Sequence, residues 1–339
     1  KTGGTAAYAA RPKLAQASVP ALPCPLDAEA DDATICRQVA AYYHERLKFS
    51  AGARAYLKTR GLEDDAVIER FRLGFADRTL GLRLPEKNRQ DGEKLRTRLV
   101  QLGLYRESGH EHFNGSLVIP IIDSQGNVTE VYGRKICDKL RPGTQYHTYL
   151  PGPHRGIWNP VSLLAAKKEI ILCESLIDAL TFWVNGFRNV TASYGIEGFT
   201  EEHLKTFIEN QIKRVYIAYD RDEAGDKAAD KLAEKLISEG IECLRVQFPK
   251  GMDANEYAVR MSPAAQALQL LLNAAAWMGR GEAPPPPVAL SPESTPPLPS
   301  PICRGGDSLA TPKMPRPQRK NLITAAISQN RLIPFHKIV

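Results

Sequence analysis

Three short stretches carry acids where acids can do chemistry. "IILCESLIDAL" sets Glu174 directly after an apolar run and Asp178 four residues on. On a helix that spacing puts the second acid one turn above the first, on the same face. "YDRDEAG" sets Asp220 and Asp222 two apart after a β-branched run, and "FPKGMDANEY" brings Asp253 and Asn255 after another. Aspartate is a favoured helix N-cap, so capping accounts for any one of these residues alone. Acids at successive strand ends are a different matter. Carboxylates brought together repel and resist ionisation unless a cation neutralises them. Hard oxygen donors favour Mg²⁺ or Mn²⁺, which keep several waters and take one or two carboxylates along with substrate phosphate.

Convergence requires elements that bring those ends to one edge. From residue 169 the sequence alternates: "EIILC" reads as a strand, "SLIDALTFWVNG" as a helix and "NVTAS" as a strand. "TEEHLKTFIENQ" follows as a helix with Thr200 as N-cap, then "RVYIAY" as a strand. "EAGDKAADKLAEKLISEG" is a helix closed by Gly240, and "IECLRVQF" a last strand. Alternation of this kind predicts a parallel sheet flanked by helices, with ligands at the carboxyl ends of its strands. The earlier half is a mixed α/β lobe. "ICRQVAAYYHERL", "SAGARAYLKTRG" (stopping at Gly61) and "LEDDAVIERFRLGF" have helical spacing. "GSLVIPIID" and "NVTEVYGRKI" flank "SQG" as a hairpin, and "HTYLPGPHRGIWNP" reads as a loop. The expected division is a linker over 1–35, the mixed lobe over 36–166 and the α/β domain over 167–262. A helix and a Pro-rich linker follow over 263–301, and a basic tail over 302–339.

Lys and Arg outnumber Asp and Glu by 24 to 18 in residues 1–166, and are outnumbered 13 to 17 in residues 167–262. A basic half joined to an acidic half suggests a polyanion held by one and a cation by the other. No apolar run is long enough to span a membrane, and the N-terminus lacks a signal-peptide core. The chain begins without Met and reads as a fragment. Six scattered cysteines without a C-x-x-C suggest reduced thiols, a cytoplasmic setting and no Cys-type zinc site. Cys173 reads as inert core. "HEH" at 110–112 lacks helical ligand spacing and reads as surface, and no phosphate loop of the ATPase type is present.

Read in order, these segments resemble the catalytic core of bacterial DnaG-type DNA primases, in a divergent, mobile-element or phage-like form. Residues 169–257 are similar to a TOPRIM domain, with Glu at the first strand end and D-x-D at the third. "SAGARAYLKTRGLEDDAVIERFRLGFA" resembles the start of the primase core. "FNGSLVIPIIDSQGNVTEVYGRKI" resembles its hairpin, "HTYLPGP" its Y-L-N-S-P segment, and "SYGIEGFTEEHL" a segment inside the TOPRIM domain. The ordered match covers about residues 37–262. The resemblance implies that Glu174, Asp220 and Asp222 are the catalytic, metal-binding acids, supported by Asp178 and Asp253. It implies that Arg134 lies on the template path, with Lys135, Lys139, Arg141 and Arg155 as neighbouring nucleic-acid contacts. The sequence departs from the family at Thr148, where a lysine is usual, and at Arg221, inside D-x-D, which is expected to face solvent. At Asn255 an acid is usual, which leaves one fewer charge for a second metal.

The resemblance further implies primer synthesis on single-stranded DNA from NTPs, assisted by Mg²⁺ (or Mn²⁺), and a replicative helicase as partner, with no membrane. A zinc ribbon is expected upstream of this chain. Tyr132, Tyr149 and Trp158 are available to stack on bases or, more commonly, to pack in the core. Two other readings use the same residues. A TOPRIM nuclease would use the same acids, though the upstream core-like segment favours a primase. A replication scaffold with an inactive core would bind nucleic acid without turnover.

Overall fold

The computed structural model describes residues 22–137, 139–165 and 168–283. Residues 1–21 of the expected linker, the Pro-rich segment from 284 and the basic tail lie outside the described residues. The first lobe opens with three capped helices. In α1 (Asp32–Lys48) the Asp31 carboxylate accepts the Thr34 N–H at 2.7 Å. Ser50 caps α2 (Ala51–Thr59) and Asp64 caps α3 (Asp65–Arg70). Gly61, at φ +66°, supplies the left-handed residue that ends the second helix. The first helix begins at Asp32, inside the segment expected as linker, and Leu26 before it is buried.

Next come β1 (Gly74–Phe75), α4 (Gln90–Gln101), β2 (Ser116–Ile122), β3 (Val128–Lys135) and β4 (His147–Tyr149). They include the expected hairpin, β2 with β3, and build an antiparallel sheet in the order β1-β2-β3-β4. β4 lies in the stretch read as a loop. It pairs Tyr132↔Tyr149 and Arg134↔His147. Three residues before Pro151 are too few for a periodic signal, and the strand exists because β3 offers an edge.

The second half follows the expected alternation. Its elements are α5 (Val161–Ala165), β5 (Glu169–Cys173), α6 (Leu176–Val184), β6 (Val190–Ala192), α7 (Glu201–Glu209), β7 (Arg214–Ala218), α8 (Glu223–Ser238) and β8 (Glu242–Arg245). Thr200 caps α7 through the His203 N–H. Then come α9 (Ala254–Arg260), α10 (Ala264–Asn273) and β9 (Ala276–Trp277). The sheet order is β6-β5-β7-β8-β9, with the first four strands parallel. β9 pairs antiparallel to β8, an edge strand where only a helix and a linker were expected. No described helix is long and apolar enough to cross a membrane.

One apolar cluster joins the halves. Leu117, Ile119, Ile121 and Tyr132 of the antiparallel sheet pack in it with Ile171, Cys173, Leu176 and Leu180. Trp158, 1% exposed, stacks on Phe71 with ring centroids 4.4 Å apart. Trp158 and Tyr132 are therefore core residues and offer no face to a base. A Trp158→Ala variant should lose about 3–5 kcal/mol of stability, the usual loss for a large buried aromatic. Urea unfolding checks this, and a change within a few tenths of a kcal/mol would show that the residue does not join the halves.

Candidate metal centre and nucleic-acid interface

Parallel pairing of β5 with β7 aligns Cys173 with Ala218, so the residues that follow leave the sheet side by side. Glu174 and Asp220 meet there, and the Asp220 N–H donates to Glu174 Oε2 at 3.4 Å. Asp222 is the N-cap of α8, accepting the Gly225 N–H at 2.7 Å, and Asp253 caps α9 through the Glu256 N–H at 2.6 Å. Capping and metal binding are thus compatible, because each cap occupies one carboxylate oxygen and leaves the other. Asp178, 3% exposed, accepts from the Ser175 hydroxyl at 2.6 Å and the Asn255 N–H at 3.1 Å. Gly225 is required by close approach: a Cβ there would lie 2.4 Å from the Asp220 carbonyl oxygen.

The acids act on one another electrostatically. Burial, then the charges of Glu174, Asp253 and Asp222, pushes Asp220 up to about 7. Burial also raises Glu174, with Asp222 and Asp253 adding to it. Burial also holds Asp178 well above the usual carboxylate range, reinforced by Asp253 and Asp220. The compensating cation is Arg245, 5% exposed, which sequence reading missed. Its guanidinium donates to the Tyr219 and Asp220 carbonyls, both at 2.8 Å, and to Asp226 at 2.9 Å. Arg221 does not simply face solvent: it pairs with Asp226 at 3.1 Å. The charge between the two aspartates is therefore taken up beside the helix start.

Among the described residues, no three His, Cys, Asp or Glu side chains form a ready-made cage. The donor set is nonetheless suited to a hydrated hard cation. It consists of carboxylates only, several held reluctant to ionise by burial and by each other, and a divalent ion would relieve both effects. Asn255 takes no part in it. Its side chain, 1% exposed, turns to Arg60 and Thr181. The acid usual at this position is thus replaced by an interlobe contact rather than by a weaker ligand.

The expected basic residues lie on more than one face of the lobe. Successive residues of β3 point to opposite faces. Arg134 faces Tyr56, whose hydroxyl accepts its Nε at 3.4 Å, lies 5.2 Å from the Tyr146 ring and contacts His147. Desolvation, with Arg134 and Arg60 nearby, pushes the His147 imidazole down to about 4. The neutral ring accepts from Arg134 and leaves Nδ1–H to donate to the Tyr132 hydroxyl at 2.8 Å. Lys135 lies on the other face, buried against the Asn114 carbonyl. It lines a groove of about 1180 Å³ with Lys139, Arg141, Arg78 and Arg106. Arg155 is exposed in the loop after β4, where its carbonyl accepts from the Tyr194 hydroxyl. Glu111 of "HEH" is buried, not on the surface, and accepts the Leu80 N–H at 3.2 Å. Arg78 and Arg106 carry no sequence signal, since only the fold sets them beside Lys135.

The raised carboxyl of Asp220 gives a pH test. Its folded pKa of about 7 exceeds the unfolded 3.8, so the folded state holds the proton more tightly. Without metal, stability should fall as pH rises through that window, and a divalent cation should restore it. Calorimetry should find that Mg²⁺ raises Tm more at about pH 8 than at about pH 5.5. Equal increments at both would remove these acids from the metal assignment.

Comparison with known proteins finds a family match for each half of the chain. Residues 42–159 match the family described as "DNA primase catalytic core, N-terminal domain", and residues 171–258 match "Toprim-like". The DNA primase of Aquifex aeolicus is 30% identical over 65% of this chain and 45% of its own length. That of Enterococcus faecalis is 32% identical over 70% of this chain and 39% of its own. The chain thus spans less than half the length of these curated relatives. Among solved structures, the zinc-binding and RNA polymerase domains of Aquifex aeolicus primase superpose with a TM-score of 0.58 at 27% identity, covering 74% of this chain and 64% of that one. A DnaG primase catalytic domain bound to ssDNA superposes with a TM-score of 0.59 at 21% identity, covering 72% and 78%, and shares the fold. In sequence and in fold, the chain resembles a divergent DnaG-type primase catalytic core, a primase N-terminal domain joined to a Toprim-like domain.

Proposed function

We propose that this chain synthesises short RNA primers on single-stranded DNA, joining NTPs by attack of a 3′-OH on the incoming α-phosphate with release of pyrophosphate. The observation that carries the reading is the set of mutually repelling carboxylates at the carboxyl edge of a parallel sheet, in a chain whose other half is a basic primase-type lobe. Glu174, Asp220 and Asp222 hold Mg²⁺ (or Mn²⁺), with Asp178 and Asp253 supporting them. Bound metal supplies charge stabilisation to the attacking and leaving oxygens. Arg134, oriented by Tyr56 and neutral His147, binds a phosphate of the template. Lys135, Lys139 and Arg141 hold the strand by its phosphates in the groove on the opposite face of β3, and Arg155 adds a contact. Single-stranded DNA as partner is supported by the related catalytic domain solved with ssDNA. A replicative helicase is the partner expected to bring the enzyme to its template.

The decisive assay supplies ssDNA, Mg²⁺ or Mn²⁺ and labelled NTPs. Wild type should form oligomers, and Asp220→Ala with Asp222→Ala should abolish them. Cleavage of the DNA without synthesis would establish a nuclease instead, and binding without either reaction a scaffold. The groove has its own test: Lys139→Ala and Arg141→Ala should each weaken ssDNA binding across sequences. Each should also lower the salt dependence by about one unit of slope. Unchanged salt dependence would exclude the groove from the template path.

A further inference from the structure

A chain of contacts runs from the basic wall of the first lobe to the acids of the second, and Asn255 closes it. Its Nδ2 donates to the Arg60 carbonyl and to Thr181 Oγ1, both at 2.8 Å. Its Oδ1 accepts from Arg60 Nη1 at 3.1 Å, and its backbone N–H donates to Asp178 Oδ1 at 3.1 Å. The Thr181 hydroxyl already donates its proton to the Ile177 carbonyl at 2.9 Å, so towards Asn255 it can only accept. Both acceptors therefore require a donor, and an amide meets that need where a carboxylate cannot. An aspartate here would set lone pairs against both acceptors, the buried Thr181 hydroxyl among them, and add a charge beside Asp178. On the other side, Arg60 lies over the Tyr56 ring at 5.5 Å, and the Tyr56 hydroxyl accepts from Arg134.

We propose that Asn255 and Arg60 are a positioning pair that fixes the distance between the Arg134 wall and the carboxylates, and so the register in which template and nucleotide meet. Neither side chain is needed to hold metal or template. The pair acts through Asp178 on one side and Tyr56 on the other. The catalytic part of the inference rests on the primase reading, while the lock is a separate physical claim. Reaction rates are sensitive to misplacement on the scale of an ångström, while binding to each lobe alone is not.

The test compares Asn255→Asp, Arg60→Met and the double variant in the full chain, at temperatures where circular dichroism shows each to be folded. Primer synthesis by Asn255→Asp should fall about tenfold or more in kcat, with ssDNA Kd unchanged within about twofold and the Mg²⁺ half-saturation no tighter than in wild type. Arg60→Met should show the same pattern more mildly, and the double variant should be no worse than Asn255→Asp. If Asn255→Asp does not fold, Arg60→Met alone decides by the same split. A tighter Mg²⁺ half-saturation in Asn255→Asp would make position 255 part of the metal set and overturn the proposal. So would an unchanged kcat, or purely additive effects. If wild type makes no primer, the primase reading fails on its own. The lock is then judged by a double-mutant cycle on thermal unfolding of Arg60→Met and Asn255→Ala, and strict additivity there would overturn it.

Discussion

The parallel register of β5 against β7 is the constraint on which the rest depends. It sets the carboxyl ends of two adjacent strands level, so that Glu174 and Asp220 have to share one place. Like charges that close, and partly shielded from water, oppose folding. The surrounding structure offsets this with groups of its own: a backbone N–H turned to Glu174, two helix N-termini that engage Asp222 and Asp253, and a buried guanidinium beneath the turn. Gly225 is part of the same arrangement, since only the smallest residue lets α8 start so close to the Asp220 carbonyl.

The second requirement is that a basic lobe be held against this edge without flexing. The shared apolar cluster does most of this, with Trp158 and Phe71 stacked where the halves meet. Apolar packing is not directional, however, and permits small slides. The polar contacts around Arg60, Tyr56 and Arg134 are directional, and they add the geometric specificity that packing alone does not give.

Much of this was readable in the chain. The strand–helix alternation after residue 169 predicted the parallel sheet, because buried parallel strands are written as continuous apolar runs. Thr200 was read as a cap and is one, whereas the caps Asp31, Ser50 and Asp64 emerge only from the structure. What escaped was decided by partners distant in sequence. β4 and β9 are too short to show a period and exist only as additions to an available edge. Glu111 looked like surface because its neighbours are polar, yet it is drawn in by the Leu80 N–H. Arg221 and Asn255 were read against a family pattern, whereas their roles are set by Asp226 in one case and by Arg60 and Thr181 in the other. Arg134 was expected on the template path with Lys135 as a neighbouring contact, and alternation along β3 turns the two to opposite faces.

Arg245 has a consequence for the order of assembly. A guanidinium fixed by three main-chain carbonyls is a counter-ion encoded in the chain, present as soon as the sheet forms. Small zinc domains, by contrast, fold only when their ion arrives. With an internal counter-ion the sheet can complete itself while its outer carboxylates remain protonated or hydrated. A divalent ion held there as proposed would exchange with solution on an intact scaffold, so its turnover would not loosen the architecture around it.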